Sequence, residues 1–447
     1  MRVVSLELTN FRCFEKRKFD FAPGFNVCIG DNATGKTALL DALCIAVGSF
    51  LMGIERASGR LPVEDDVRTV TIRHNNTVTR EPVRPLFVEC KGWFRGFGPY
   101  LTRKHGTIAS VDEVESYWWR SLGAQRATRK GAVGIKYLAE LARRRVVAGD
   151  AVTLPLIAFH GTGRLWWNLR DRRQTTAAAG PASRFSGYAH CLDPASDQKG
   201  FAQWMKRLEL RQLQEGVTIA ELEAVRNVAR AAIPGCSDLR YLVNDDELVA
   251  TMSDGEQLPV SLLSDGQRTV LGLVSDLARR AAVLNPHLGV EATQKTPGVV
   301  LIDELDLHLH PNWQRRIVDD LRRLFPEVQF VATTHSPFII QSLRANELID
   351  LNRKHGNYVN ESIEDIAEDV MGVAHPQRSR HFLAMMDAAD AYYRLLDEAA
   401  DVTDPTRLGA LKQRLDALSE RYPSEPAYGA FLRAKRLARR LPGDREA

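Results

Sequence analysis

Gly30-Asp31-Asn32-Ala33-Thr34-Gly35-Lys36-Thr37 fits the pattern G-x-x-x-x-G-K-[ST], and its flanks decide the fold around it. The apolar run Phe25 to Ile29 leads in as a strand. Ala38, Leu39, Leu40, Ala42, Leu43, Ile45, Ala46 and Val47 follow with helical spacing. Strand, glycine-rich loop and helix together form a phosphate cradle. Successive backbone N–H groups turn toward the anion, and the helix adds its positive end. Gly30 and Gly35 allow close backbone approach. Lys36 is placed to reach the β- and γ-phosphates, and the Thr37 hydroxyl to meet Mg2+. Glycines alone would mark a plain turn, but Lys36-Thr37 in this frame predicts a nucleoside triphosphate. Its expected contacts are Gly30, Asp31, Asn32, Ala33, Thr34, Gly35, Lys36, Thr37 and Ala38.

A second station lies far downstream, at Val299-Val300-Leu301-Ile302-Asp303-Glu304. Four consecutive apolar residues predict a parallel strand buried on both faces. Asp303 emerges at its carboxyl end, where open α/β sheets bind ligands. It is the expected second Mg2+ ligand beside Thr37. Glu304 is the expected general base that orients water for in-line attack on the γ-phosphate.

Composition sets the frame. The chain has 447 residues, is 44% hydrophobic and carries a net charge of +4. That supports two or three structural units and neither demands nor excludes nucleic acid. Six cysteines show no CxxC pair, which predicts reduced thiols in a cytoplasmic protein. No apolar run reaches the roughly 20 residues of a membrane span. Strands are expected over 67–73, 83–92, 152–159 and 328–333, and a strand meander over 239–262. Helices are expected over 112–148, 197–214, 218–232, 268–284 and 311–324, with a basic helical tail over 378–441.

The remaining motifs carry a family resemblance. Leu263-Ser264-Asp265-Gly266-Gln267-Arg268 resembles the signature motif of ABC-type ATPases, with Asp265 where glycine is usual. Leu305-Asp306 after Glu304 resembles the D-loop, and Thr333-Thr334-His335-Ser336-Pro337 the switch-histidine loop. Asn10-Phe11-Arg12 and the phosphate loop resemble the opening of RecF- and SMC-type heads. Gly161-Thr162-Gly163-Arg164-Leu165-Trp166, Ser336 to Ile340 and Ile363 to Val373 are similar to small RecF-like ATPases of bacterial anti-phage defence, the Septu ATPase subunits among them. The long coiled coil of SMC proteins is not evident: residues 38–262 lack sustained heptads.

The resemblance implies an α/β, ABC/RecF-like P-loop head with a mixed β-sheet core, an inserted helical subdomain and a helical C-terminal tail. The expected units are 1–110 (head with P-loop), 111–238 (mainly helical insertion), 239–375 (signature, Walker B and switch histidine) and 376–447 (tail). It implies ATP and Mg2+ as cofactors. It implies a homodimer of heads, or a higher even oligomer, in which Ser264 and Gly266 of one subunit cap the γ-phosphate held by Lys36 of the other. His335 would contact that phosphate in cis, Asp306 would sense the opposite site, and Arg12 would lie near the nucleotide. Lys36, Glu304 and His335 are thus the expected catalytic set.

Three functions follow as expectations. The first is an ATPase subunit that controls a separately encoded HNH-type nuclease through ATP-dependent head dimerisation. The second is a RecF-like repair ATPase that binds DNA directly. The third is an ATP-holding scaffold with little turnover, which the unusual Asp265 keeps open. No nuclease motif of the chain's own is evident in the residues after 378.

Overall fold

The computed structural model describes the chain apart from residues 56, 75–76, 105–106, 124–129, 166–182, 195–197, 353–357, 360, 379–381, 390 and most of 392–447. For residues 96–104, 107–112, 130, 164–165 and 198–199 it describes backbone alone. Two units divide at Met371 and Gly372. The first carries the motifs described above.

In chain order the strands of the first unit are β1 (Arg2–Phe11), β2 (Phe14–Asp20), β3 (Phe25–Ile29), β4 (Thr69–His74), β5 (Thr77–Pro82), β6 (Leu86–Lys104), β7 (Thr107–Leu122), β8 (Leu156–His160), β9 (Cys236–Leu242), β10 (Glu247–Met252), β11 (Gln257–Pro259), β12 (Gly298–Ile302), β13 (Val328–Thr333) and β14 (Leu348–Asp350). The helices are α1 (Lys36–Leu51), α2 (Val133–Val147), α3 (Gln198–Glu215), α4 (Ala220–Ala232), α5 (Asp265–Leu284), α6 (Ala292–Lys295), α7 (Pro311–Gln314), α8 (Ile317–Leu324) and α9 (Pro337–Gln341).

The centre is a parallel sheet of order β14-β3-β13-β12-β8. Every residue of β3, β8, β12 and β13 is buried, as a sheet covered on both faces requires. An antiparallel sheet, β2-β1-β6-β7, lies across α1 from it. Parallel and antiparallel pairings thus occupy separate sheets. Because α1 packs on strands of both, Ala38 to Leu51 are all buried, and all but Asp41 and Ser49 are apolar or glycine. The Trp118 indole on β7 donates to the Ala46 carbonyl at 2.9 Å, tying the antiparallel sheet to α1. A three-stranded meander, β11-β10-β9, runs into α5.

Several expectations need correction. Residues 112–148 are not mainly helical: β7 runs to Leu122 and the helix starts at Val133. Glu113, Glu115 and Tyr117 are exposed while Trp118, Arg120 and Leu122 are buried. The alternation and the pairing of Glu113 to Leu122 with β6 override the helical preference of the glutamates. The strand expected near 67–73 pairs with a partner not anticipated, Thr77–Pro82, to form a separate two-stranded ribbon. The helix expected over 311–324 is two short helices, α7 and α8. The signature helix starts at Asp265, not 268. The basic end expected at 433–440 and the Arg164 side chain lie outside what is described.

Candidate nucleotide site

All five strands of the central sheet point their carboxyl ends to one rim. There the sequence motifs meet. The phosphate loop leaves β3 and closes into α1. Gly30 has φ 155° and Gly35 φ 104°. A Cβ at Gly35 would sit 2.5 Å from the Cys13 sulfur and 2.6 Å from the Phe14 ring, so the β1–β2 turn leaves no room for a side chain there. The Lys36 ammonium donates to the Gly30 carbonyl at 2.7 Å and the Asp31 carbonyl at 3.1 Å, arching back over the loop. Burial pushes the Lys36 pKa down, against the pull of Cys28, Asp303, Asp31 and Glu304. Thr34 ties the loop by donating its hydroxyl to the Asp31 carbonyl at 2.8 Å.

Asp303 leaves β12 into this loop. One carboxylate oxygen accepts from the Thr37 hydroxyl at 3.2 Å; the other accepts from the Thr333 hydroxyl at 2.6 Å. Thr37 and Asp303 are therefore brought together as expected, and they suit Mg2+, which takes few protein ligands and completes its octahedron with phosphate oxygens and water. No cluster of three or more His, Cys, Asp or Glu suited to a metal occurs among the described residues. Bound there, the cation would neutralise charge between the β- and γ-phosphates.

Glu304 follows in the left-handed region, at φ 49°. For a residue other than glycine this conformation is costly and persists where the surroundings impose it. Here the Glu304 N–H donates to the Thr333 hydroxyl at 2.7 Å. Thr333 thus holds both acidic residues at once. Its role went unread in the sequence, because it depends on β13 lying beside β12 in the sheet. Replacing Thr333 with Val, of similar shape, strands the Glu304 N–H. We expect ATPase activity to fall about tenfold or more, with a stability loss of about 1–3 kcal/mol in thermal unfolding. Unchanged turnover would remove Thr333 from the site.

Asp306 does not stand alone either. It accepts from the Thr334 hydroxyl at 2.5 Å and from the His335 N–H at 3.2 Å, which fastens the D-loop to the switch loop within one subunit. The Ser336 hydroxyl donates to Gln314 on α7 at 2.6 Å and caps α9. His335 itself is exposed on the rim.

Ser264 is the N-cap of α5. Its hydroxyl accepts from the Gln267 N–H at 3.4 Å while its own backbone N–H donates to the Gln267 side-chain oxygen at 3.1 Å, a reciprocal capping box, and the hydroxyl donates to the same oxygen at 2.9 Å. The cap leaves Ser264 exposed at the positive end of a 20-residue helix. A Cβ on Gly266 would come 3.2 Å from the His308 carbonyl, so the signature turn packs on the stretch that follows the D-loop. Asp265 pairs with Arg268 one turn on. Further along α5, burial works against charge on Asp276. The Arg280 and Arg279 guanidiniums and His160 outweigh it and hold its carboxyl well below the usual range. The His160 carbonyl accepts the Asp303 N–H at 2.8 Å. The His160 ring Nε2 lies 3.6 Å from the Asp276 carboxylate on α5.

Arg12, at φ 46°, is placed differently from a lone phosphate ligand. It meets Asp41 of α1 at 2.6 Å and Asp66 at 2.8 Å, and Arg60 bridges the same two carboxylates. This four-charge cluster couples the β1–β2 turn to α1 just beyond the phosphate loop. Its members are far apart in the chain, and no local pattern announced them.

Comparison with known proteins agrees with this geometry. A model described as "AAA domain" matches residues 5–227, which hold the phosphate loop. One described as "AAA domain, putative AbiEii toxin, Type IV TA system" matches residues 237–341, which hold the signature, Asp303-Glu304 and the switch loop. The "Retron Vc95 probable ATPase" of Vibrio cholerae is 41% identical over 116 residues, 26% of this chain and 20% of that protein. "Septu protein PtuA" of Bacillus thuringiensis is 35% identical over 119 residues, 24% of this chain and 29% of that one. The "Retron Ec83 probable ATPase" of Escherichia coli is 24% identical over 420 residues, covering 78% of this chain and 71% of that one. The chain thus matches only a fifth to a third of the length of the first two. An SMC head solved with the C-winged helix domain of ScpA aligns with a TM-score of 0.44 at 17% identity, over 76% of this chain and 91% of that one. Two AAA-domain models between them match residues 5–227 and 237–341, and the chain's homologues include Septu and retron ATPases, each similar to it over part of its length.

Proposed function

We propose that this chain binds and slowly hydrolyses ATP as the regulatory subunit of an anti-phage defence complex. ATP joins two heads, and the joined state controls a separately encoded HNH-type nuclease. The observation that carries the ATPase reading is the Asp303 carboxylate held between Thr37 of the phosphate loop and Thr333 of the neighbouring strand, with Glu304 fixed beside it. Lys36, Glu304 and His335 are the proposed catalytic residues, and Thr37 and Asp303 the proposed Mg2+ ligands. Arg12 is proposed to exchange one of its carboxylate partners for a phosphate when nucleotide arrives. The relatives' names, retron ATPase and Septu protein, support the defence setting. A cytoplasmic location is compatible with the finding that no described helix is long and apolar enough to cross a membrane.

The dimer reading draws on Ser264. The exposed Ser264 hydroxyl at the N-terminus of α5 donates to Gln267 in the free chain, and turning that O–H outward would present it, with the helix dipole, to a triphosphate brought by a second copy. Ser264→Arg fills that position. ATP binding by the monomer is expected to stay within about twofold, while turnover falls by about 100-fold because the trans donors are blocked. Isothermal titration and phosphate release separate the two. Equally poor ATP binding by the variant monomer would give Ser264 a different role. Copurification of an HNH-containing protein with the tagged chain tests the effector; its absence from cells carrying the whole operon would count against that half of the proposal.

A further inference from the structure

The β4–β5 ribbon stands apart from both large sheets. It is two strands only, Thr69–His74 and Thr77–Pro82, and every residue but Val70 is exposed. A lone two-stranded ribbon in water is marginal, so its base carries it. There the Arg68 N–H donates to the Asn10 carbonyl at 2.9 Å and the Val83 N–H to the Arg68 carbonyl at 2.7 Å. Arg68 and Arg84 at that base pair with Glu15 and Glu64.

The exposed part differs. Thr71 pairs with Arg80 and Arg73 with Val78, so both arginines lie on one face of the ribbon, diagonal to one another. Both are exposed and neither meets a carboxylate among the described residues. Glu81 pairs with Val70 and so lies on the opposite face. Residues 68–84 hold four arginines against this single acid. Wet threonines, one cationic face and a narrow double strand suit the major groove of duplex DNA, which admits a two-stranded ribbon. Arginine and threonine are among the side chains that meet its phosphates.

We propose that the β4–β5 ribbon is a duplex-DNA contact, with Arg73 and Arg80 on phosphates. The ribbon leaves the body beside the Arg12–Asp66 pair, and the Arg12 N–H donates to the Asp66 carbonyl at 2.8 Å. Bound DNA would therefore pull on the turn that packs over the phosphate loop. This mode of DNA binding does not depend on the nuclease partner or on head dimerisation.

The test is fluorescence anisotropy of the full chain with a labelled 30-base-pair duplex across a salt series. Arg73→Gln/Arg80→Gln should weaken binding on the order of tenfold at low salt. It should also lower the slope of log K against log salt by about 2, one for each phosphate that the variant leaves unneutralised. ATP binding by the same variant, measured in parallel, should be unchanged and reports that it is folded. Three results would overturn the proposal: no duplex binding by the wild-type chain at low salt, the same affinity and slope in the double variant, or a single strand bound as tightly as the duplex.

Discussion

Lys36→Ala weakens ATP binding by at least about 100-fold, close to 3 kcal/mol, in equilibrium titration with Mg2+ present. The ammonium lies along the phosphate loop, where it already bonds the Gly30 and Asp31 carbonyls. Phosphate oxygens are far better partners for it than those carbonyls. Burial and desolvation, which depress its pKa, raise the worth of any anion brought beside it. The loop itself should survive the change, because Gly30, Gly35 and the Thr34 bond to Asp31 set its shape. A circular dichroism spectrum and melting point near those of the wild type should accompany the weakened binding. Equal ATP affinity in variant and wild type would sink the assignment of Lys36.

Glu304→Gln separates binding from chemistry. Glutamine fits the same φ of 49° and leaves the backbone bond to Thr333 in place. It cannot take a proton from water. Turnover should fall by about 100- to 10,000-fold, the usual range for removal of a general base, while ATP stays bound. The ATP-loaded form should then accumulate as a dimer or larger even species, read by light scattering with ATP and Mg2+. Wild-type turnover in the variant would move the base elsewhere. Slow hydrolysis without any change of mass would detach catalysis from association.

The sequence exposed the site more clearly than the scaffold. Lys36, Thr37, Asp303 and Glu304 sit in contiguous motifs whose flanking apolar runs are strands buried on both faces. Their short length and the glycine or acidic residues that end them tell such runs from buried helix segments. The pairing of Thr37 with Asp303 then follows from both loops leaving carboxyl ends of the same parallel sheet. What stayed hidden was contact between distant segments. Thr333 holds Asp303 and Glu304 only because β13 lies between β3 and β12, an order that no local pattern records. The Arg12–Asp41–Arg60–Asp66 cluster depends in the same way on tertiary packing. The misreading of β7 has a different origin. Glu113, Glu115 and Arg120 mimic a solvated helix, whereas alternate residues face α1 and the long pairing with β6 decides the outcome. The true start of α5 does have a local signal, since Ser264 and Gln267 are spaced as a capping box.

Proposed trans capping gives the signature helix its purpose. A structure of the chain with Mg2+ and a nonhydrolysable ATP analogue tests this most directly. The Ser264 hydroxyl of one copy should lie about 2.7–3.2 Å from a γ-phosphate oxygen bound by Lys36 of another. Finding Ser264 distant from every triphosphate, in its own subunit and in all neighbours, would contradict the account.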